Sequence, residues 1–246
     1  ARIQCVLFDD MPRSVDTLAA AQLDIVAEVV SVSEAEHALV CPSYYSTDPV
    51  LERVFGAMPV DYWDELGAGL PAETGIFWTG DRVCAESHDA RGLGEIAARL
   101  ARKPVLWDNY PVNDGARGAN FLRIDAFRGR GSELEGLTQA HFVNPMNQCW
   151  LSRIPLQSLA LLYEQGLDYG PDAAFARCAR AQCGEELAAL LAADRDALQH
   201  EGLGALSGAR LAQMRARYAA FHSPFAQELC EWLNGRYAFD PACLTD

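Results

Sequence analysis

Val6-Leu7-Phe8-Asp9-Asp10-Met11-Pro12 is a run of three apolar residues, two adjacent carboxylates and, one residue on, a proline. Val6 to Phe8 predict a short buried strand. A buried strand with an acidic end delivers its charge to the loop beyond its C-terminus. In α/β folds that edge is where ligands and chemistry sit. An aspartate there can also cap the next helix, and the stretch alone leaves both readings open.

Working outward, the same pattern recurs. Ala38-Leu39-Val40-Cys41 runs into Pro42-Ser43-Tyr44-Tyr45, and Gly75-Ile76-Phe77-Trp78 into Thr79-Gly80. Pro104-Val105-Leu106-Trp107 leads to Asp108-Asn109-Tyr110-Pro111-Val112-Asn113-Asp114, and His141-Phe142-Val143 to Asn144-Pro145-Met146-Asn147. Helical periodicity separates these runs: Ser14 to Val30 with Ser14 as N-cap, Pro49 to Leu66 interrupted at Pro59, residues 89 to 102, and Pro155 to Gln165. Each predicted strand is short and apolar on both faces, which predicts a parallel sheet covered by helices. Polar and aromatic residues follow every strand and therefore share one edge. Residues 115 to 136 are glycine-rich without a period and predict an ordered, irregular loop.

After Gly166 no strand pattern remains. Helices are expected over Pro171 to Cys183 with Gly184 as a stop, Glu185 to Leu198, Ser207 to Phe221, and Phe225 to Leu233. Leu211, Met214, Tyr218 and Phe221 recur at three- and four-residue spacing, a core stripe. The expected organisation is an α/β domain over residues 1–166 and a helical bundle over 167–246.

Composition narrows the function. A net charge of −14 disfavours nucleic acid and an anionic membrane surface. No apolar run reaches the roughly 18 residues of a membrane span. No signal peptide is visible, and the chain starts without an initiator methionine. The eight cysteines form no Cys-x-x-Cys and no zinc-spaced cluster with histidine. Most sit in apolar surroundings, so buried free thiols in a reducing, cytoplasmic compartment are expected. The five histidines are scattered and are expected to be structural or exposed.

The four loops at Asp9-Asp10, Cys41 to Tyr45, Trp107 to Asp114 and Asn144 to Gln148 offer carboxylates, amides and aromatics. They contain no metal triad, no Ser/His/Asp set and no phosphate cradle, so neither metal nor cofactor is expected. Aromatic floors with amide and carboxylate rims suit sugars, and paired carboxyl groups are the equipment of a glycosidase.

These residues carry a resemblance. Trp107-Asp108-Asn109-Tyr110-Pro111-Val112-Asn113-Asp114 resembles the signature of glycoside hydrolase family 84, which contains the O-GlcNAcases and bacterial β-N-acetylglucosaminidases. Asn144-Pro145-Met146-Asn147-Gln148 with Ser152-Arg153-Ile154-Pro155-Leu156 resembles the next block. Leu7-Phe8-Asp9-Asp10, Cys41 to Tyr45 and Phe77-Trp78-Thr79-Gly80 match in order. Five ordered blocks are specific where one would be weak, and the helical tail resembles the family's post-barrel region more loosely.

The resemblance implies a (β/α)8 barrel binding terminal β-linked N-acetylglucosamine on a glycoprotein or oligosaccharide. It implies retaining, substrate-assisted hydrolysis, in which the acetamido oxygen attacks the anomeric carbon and forms an oxazoline. By that likeness Asp9 orients the acetamido N–H and Asp10 is the general acid/base. Tyr45 and Asn109 contact the acetamido group, Cys41 and Thr79 lie near its methyl, and Trp107 walls the pocket. Asp114 binds the 4- and 6-hydroxyls, and Asn144 another ring hydroxyl. The adjacency of Asp9 and Asp10 agrees independently. A retaining enzyme with its own nucleophile needs carboxyls about 5–5.5 Å apart flanking the bond. Neighbours on one strand end serve one side of a sugar, which suits a nucleophile supplied by the substrate. Adjacent carboxyls also resist double ionisation and titrate as a pair.

Two features depart from the family. The chain begins at what corresponds to the fourth barrel strand, so the first three are expected from an N-terminal segment of a longer protein. Leu122-Arg123-Ile124-Asp125-Ala126-Phe127-Arg128-Gly129-Arg130 keeps only the final Gly-Arg of its block. A non-catalytic glycan-binding remnant of the same fold is the alternative. A phosphatase using strand-end aspartates fits poorly, because Asp9-Asp10 lacks a spacer and Lys103 is the sole lysine.

Overall fold

The computed structural model describes residues 2–11 and 17–239. Ser14, the predicted cap, and Cys243 lie outside the described residues. The chain divides into two units, Ala1–Asp108 with Glu133–Phe142, and Asn109–Ser132 with Val143–Leu244.

The first unit is organised by a sheet of five strands: β1 (Ile3–Leu7), β2 (His37–Cys41), β3 (Gly75–Trp78), β4 (Val105–Asp108) and β5 (Ala140–Val143). Their order in the sheet is β1-β2-β3-β4-β5, and pairing is parallel, with Leu7 opposite Cys41, Val40 opposite Ile76 and Trp78 opposite Leu106. Each strand lies beside the one before it. A doubly wound sheet would reverse direction at a switch point. Consecutive order is the winding of a (β/α)8 barrel, here five strands of it.

The expectation of strands buried on both faces fails at the edges. β3 is buried throughout, whereas β1 alternates between exposed and half-buried residues, with Leu7 46% exposed. β5 alternates in the same way. The cause is tertiary: β1 and β5 have a neighbour on one side only in this sheet.

Helices α1 (Leu18–Ser31), α2 (Pro49–Phe55), α3 (Tyr62–Gly69), α4 (Ala90–Arg99) and the single turn α5 (Leu134–Leu137) complete the first unit. Pro59 separates α2 from α3 as expected. Asp48 and Asp89 cap α2 and α4 by accepting from Val50 N and Gly92 N. Gly67 of α3 is required by close approach, since a Cβ there would lie 2.6 Å from the carbonyl carbon of Leu100. Arg102 locks this corner. Its guanidinium donates to the carbonyls of Gly67 (2.6 Å), Leu70 (3.1 Å), Pro71 (2.6 Å) and Thr74 (2.8 Å), serving the C-terminal end of α3 and the turn into β3.

The second unit contains α6 (Cys149–Gln165), α7 (Pro171–Cys183), α8 (Glu185–Asp196), α9 (Gly208–Ala219) and α10 (Pro224–Leu233). α6 starts six residues before Pro155, its predicted start, and keeps that proline inside. Glu228 of α10 makes this possible: its carboxylate accepts from Trp150 N (2.9 Å) and Leu151 N (3.0 Å), two first-turn donors. Met214 and Tyr218 of the predicted stripe are fully buried, and Leu211 and Phe221 pack against the same core. The divergent loop joins that core, because Leu122, Ile124 and Ala126 alternate into it and Leu122 N donates to Leu198 O at 2.9 Å.

Seven cysteines are described, all free thiols. Cys41 and Cys178 are buried as expected. Cys5, Cys84 and Cys149 are exposed instead, since local apolar composition does not reveal which face of an element meets water.

Candidate active site

At the C-terminal end of β1, Phe8 is buried, Asp9 half-buried and Asp10 exposed. Asp10 has a φ of 56°, the left-handed region. A non-glycine residue there carries about 1–2 kcal/mol of strain, which aspartate tolerates better than most. Both aspartates lie beyond β1, which ends at Leu7, so strand alternation does not govern their carboxyl groups.

A buried polar ring anchors this end of β1. Ser43 Oγ donates to Phe8 O (2.9 Å), Gln22 Nε2 donates to Ser43 Oγ (2.8 Å), Tyr62 Oη donates to Gln22 Oε1 (2.5 Å), and Ser43 N donates to Tyr62 Oη (3.0 Å). Phe8 N also donates to Cys41 O at 2.9 Å. The peptide entering Asp9 is thus held by α1, α3 and the loop after β2. Gln22, Ser43 and Tyr62 escaped the sequence reading. A glutamine on the buried face of α1, where the stripe predicts an apolar residue, was the available signal.

Cys41 and Tyr45 gather at the carboxylates. Tyr45 Oη lies 3.4 Å from Asp10 Oδ1. Burial first, then the charges of Asp9 and Asp10, hold the Cys41 thiol well above the ordinary thiol range. Cys41 is therefore a neutral thiol, not a thiolate nucleophile. Thr79 is buried, and its backbone N donates to Tyr45 O at 2.9 Å. Its hydroxyl is committed to Arg82 O at 3.0 Å, which leaves the methyl as its free branch. Trp107 is half-buried and meets Phe77 edge to face at 5.0 Å.

The next residue, Asp108, is buried. His141 Nε2 is 3.0 Å from its Oδ2, and His88 Nε2 is 3.7 Å from the same oxygen. The scattered histidines thus include two that converge on one carboxylate. Their separation along the chain hid this.

In the second unit the polar residues form a separate amide lattice. Asn144 Nδ2 donates to Asn109 Oδ1 at 3.1 Å. Asn113 donates to Gln148 Oε1 (2.8 Å) and Phe121 O (3.0 Å) and accepts from Asn147 N (3.1 Å), so this buried amide is consumed by structure. Asp114, one residue on, is exposed. No group of three or more histidine, cysteine, aspartate or glutamate residues suited to a metal ion occurs among the described residues.

A family model described as beta-N-acetylglucosaminidase matches residues 2–194. The chain belongs to that family, glycoside hydrolase family 84. Curated members include Protein O-GlcNAcase of Mus musculus, 25% identical over 172 residues, which covers 66% of this chain and 18% of the mouse protein. Protein O-GlcNAcase of Rattus norvegicus gives the same identity and coverage. The chain thus spans less than a fifth of these O-GlcNAcases. Among solved structures, an aspartate-to-asparagine variant of the O-GlcNAc hydrolase from Thermobaculum terrenum superposes with a TM-score of 0.74 at 24% identity, over 96% of this chain and 58% of that one. This likeness carries the fold: the parallel half-barrel and the helices after it. No helix among the described residues is long and apolar enough to cross a membrane.

Proposed function

We propose that the protein containing this chain is a retaining exo-β-N-acetylglucosaminidase that removes terminal β-linked N-acetylglucosamine from a glycoprotein or oligosaccharide. The carrying observation is the Asp9-Asp10 pair at the end of β1, with Tyr45 at Asp10 and the buried, neutral Cys41 beside both.

In the proposed reaction Asp9 accepts the acetamido N–H and turns the acetamido oxygen toward the anomeric carbon. Asp10 gives its proton to the glycosidic oxygen as that bond breaks. The acetamido oxygen forms the new bond and the acetamido nitrogen passes its proton to Asp9, yielding an oxazoline and the released alcohol. Asp10, now ionised, takes a proton from water as the water attacks the same carbon, Asp9 returns its proton to the nitrogen, and the sugar leaves with its configuration retained. Tyr45 and Asn109 contact the acetamido group, and Cys41 and the Thr79 methyl adjoin its methyl. Trp107 walls the sugar, Asp114 takes the 4- and 6-hydroxyls, and Asn144 takes another. Preorganised donors of this kind act mainly by electrostatic stabilisation of developing charge. Residues 1–166 are proposed as the catalytic part and 167–246 as its helical support. A cytoplasmic compartment is proposed for the whole protein.

The test is hydrolysis of 4-nitrophenyl β-N-acetylglucosaminide by the full-length protein, followed by NMR of the first-formed anomer. Retention, with little activity on the corresponding 2-hydroxyl glucoside, is expected. Inversion, or equal rates on both substrates, rejects the mechanism. Binding without turnover selects the glycan-binding alternative.

A further inference from the structure

Asp108 lies between Trp107 and Asn109, yet the mechanism gives it no task. Successive strand residues point to opposite faces. Trp107 packs on Phe77, which also meets Phe142 at 5.3 Å, so these three rings share one face of the sheet. Asp108 belongs to the other face, buried, with His141 from β5 on the same side. The third member, His88, comes from the connection between β3 and α4 and is seated against Gly80. A Cβ on Gly80 would stand 3.2 Å from His88 Nδ1 and Cε1, and a φ of 117° independently favours glycine at that turn. His88 Nε2 is buried and makes no hydrogen bond; the Asp108 carboxylate at 3.7 Å is its polar neighbour.

A buried carboxylate is costly unless polar groups meet it, and here His141 of β5 lies at hydrogen-bond distance while His88, from the connection between β3 and α4, stands 3.7 Å away. Neutral imidazoles suffice if each carries its proton on Nε2, because His141 then donates to Asp108 Oδ2 and the His88 N–H presents a positive edge to the same oxygen from 3.7 Å. Such a clamp fixes the roll of β4 about its own axis. Because side chains alternate, fixing the roll at Asp108 also fixes the direction of the preceding ring.

We propose that Asp108, held by His141 and His88, is the positioning residue for Trp107, and that it sets substrate affinity without touching the sugar. This rests on the glycosidase reading above, in which Trp107 walls the pocket.

The experiment uses the full-length protein and 4-nitrophenyl β-N-acetylglucosaminide, with Asp108→Asn and His141→Phe, each close in size to the residue replaced. Both are expected to raise KM about tenfold and to lower kcat/KM by about 10- to 100-fold, the scale of a slightly misplaced binding group. His141→Gln keeps an N–H donor and is expected to lose less than His141→Phe. A merely structural role would shrink the active fraction, lowering kcat with KM unchanged, and that result overturns the proposal. Wild-type KM and kcat in both variants overturn it as well. Long-range 1H–15N spectra of the imidazoles provide a readout that does not depend on turnover. His88 and His141 are expected as Nε2–H tautomers that shift in Asp108→Asn, and Nδ1–H tautomers for both defeat the clamp. If the wild-type protein does not hydrolyse the substrate, the glycosidase reading and the affinity claim built on it both fail, while the spectra still decide the clamp.

Discussion

Tyr45 Oη reaches Asp10 Oδ1 across 3.4 Å, joining the loop after β2 to the strained end of β1. A phenol there restrains the carboxyl group that is proposed to act as the acid. Under the proposed function Tyr45→Phe removes that restraint and the contact to the acetamido group. We expect kcat on 4-nitrophenyl β-N-acetylglucosaminide to fall about 100-fold, the lower end of the range for a single transition-state hydrogen bond, with little change in the thermal midpoint.

The two carboxyl groups separate by leaving-group chemistry. Asp10→Asn removes the proton donor, so poor leaving groups should slow by about 10²- to 10⁴-fold and activated aryl or fluoride leaving groups much less. Asp9→Asn should slow both classes alike, because closure to the oxazoline needs an oriented acetamide. Steady-state kinetics across a phenol series checks this. An equal loss for every phenol in Asp10→Asn would remove that residue as the acid.

Arg102 is the fold-level counterpart. One planar cation serves four carbonyls around the end of α3. Arg102→Ala removes their partner and should cost about 1–2 kcal/mol, since the cation is half-buried and water can replace part of what it gives. Arg102→Lys should recover less than half, since an ammonium cannot reproduce the spread of a guanidinium. Urea unfolding midpoints measure both.

Glu228→Ala takes the carboxylate from the first turn of α6, where it receives two backbone donors. A loss of about 1–2 kcal/mol is expected, the scale of an N-cap deletion, read as a lower thermal midpoint. Glu228→Gln should recover part of it, because the amide oxygen still accepts.

Burial raises the thiols of Cys178 and Cys183 from 9.0 to about 11. In the unfolded chain they ionise near the lower value, and in the folded protein near the higher one. Between these values the folded state binds more protons, so stability falls as pH rises. Their contribution is complete below pH 9 and lost progressively toward pH 11. Thermal midpoints in that window should decline more steeply for the wild type than for a Cys178→Ala, Cys183→Ala variant.

β3 was legible in the sequence because a continuous apolar run bounded by glycines allows little else, and Gly184 marked the end of α7 for equally local reasons. The aspartate pair was visible for the same reason: its residues are adjacent. What escaped depends on distant partners. The start of α6 is set by Glu228, nearly eighty residues away, so Pro155 looked like a beginning when it is an interior position. The exposure of β1 follows from its place at the sheet edge, which no window of residues encodes. His88, Asp108 and His141 meet only because β3, β4 and β5 lie side by side. The divergent segment around Ile124 looked like a degraded motif, whereas its alternation supplies core residues to the helices.

The polar ring behind Phe8 has a consequence for how this protein can change. Its hydrogens run one way: from Tyr62 to Gln22, from Gln22 to Ser43, and from Ser43 to the Phe8 carbonyl, with the Ser43 amide returning to Tyr62. No member can reverse its donor without leaving another facing a like group. Apart from Ser43→Thr, which keeps the hydroxyl, a single substitution in this ring therefore breaks at least one link, and its side chains are constrained to change together. Lineages that keep the aspartates are expected to inherit the trio as a block, although none of the three is assigned a contact with the sugar.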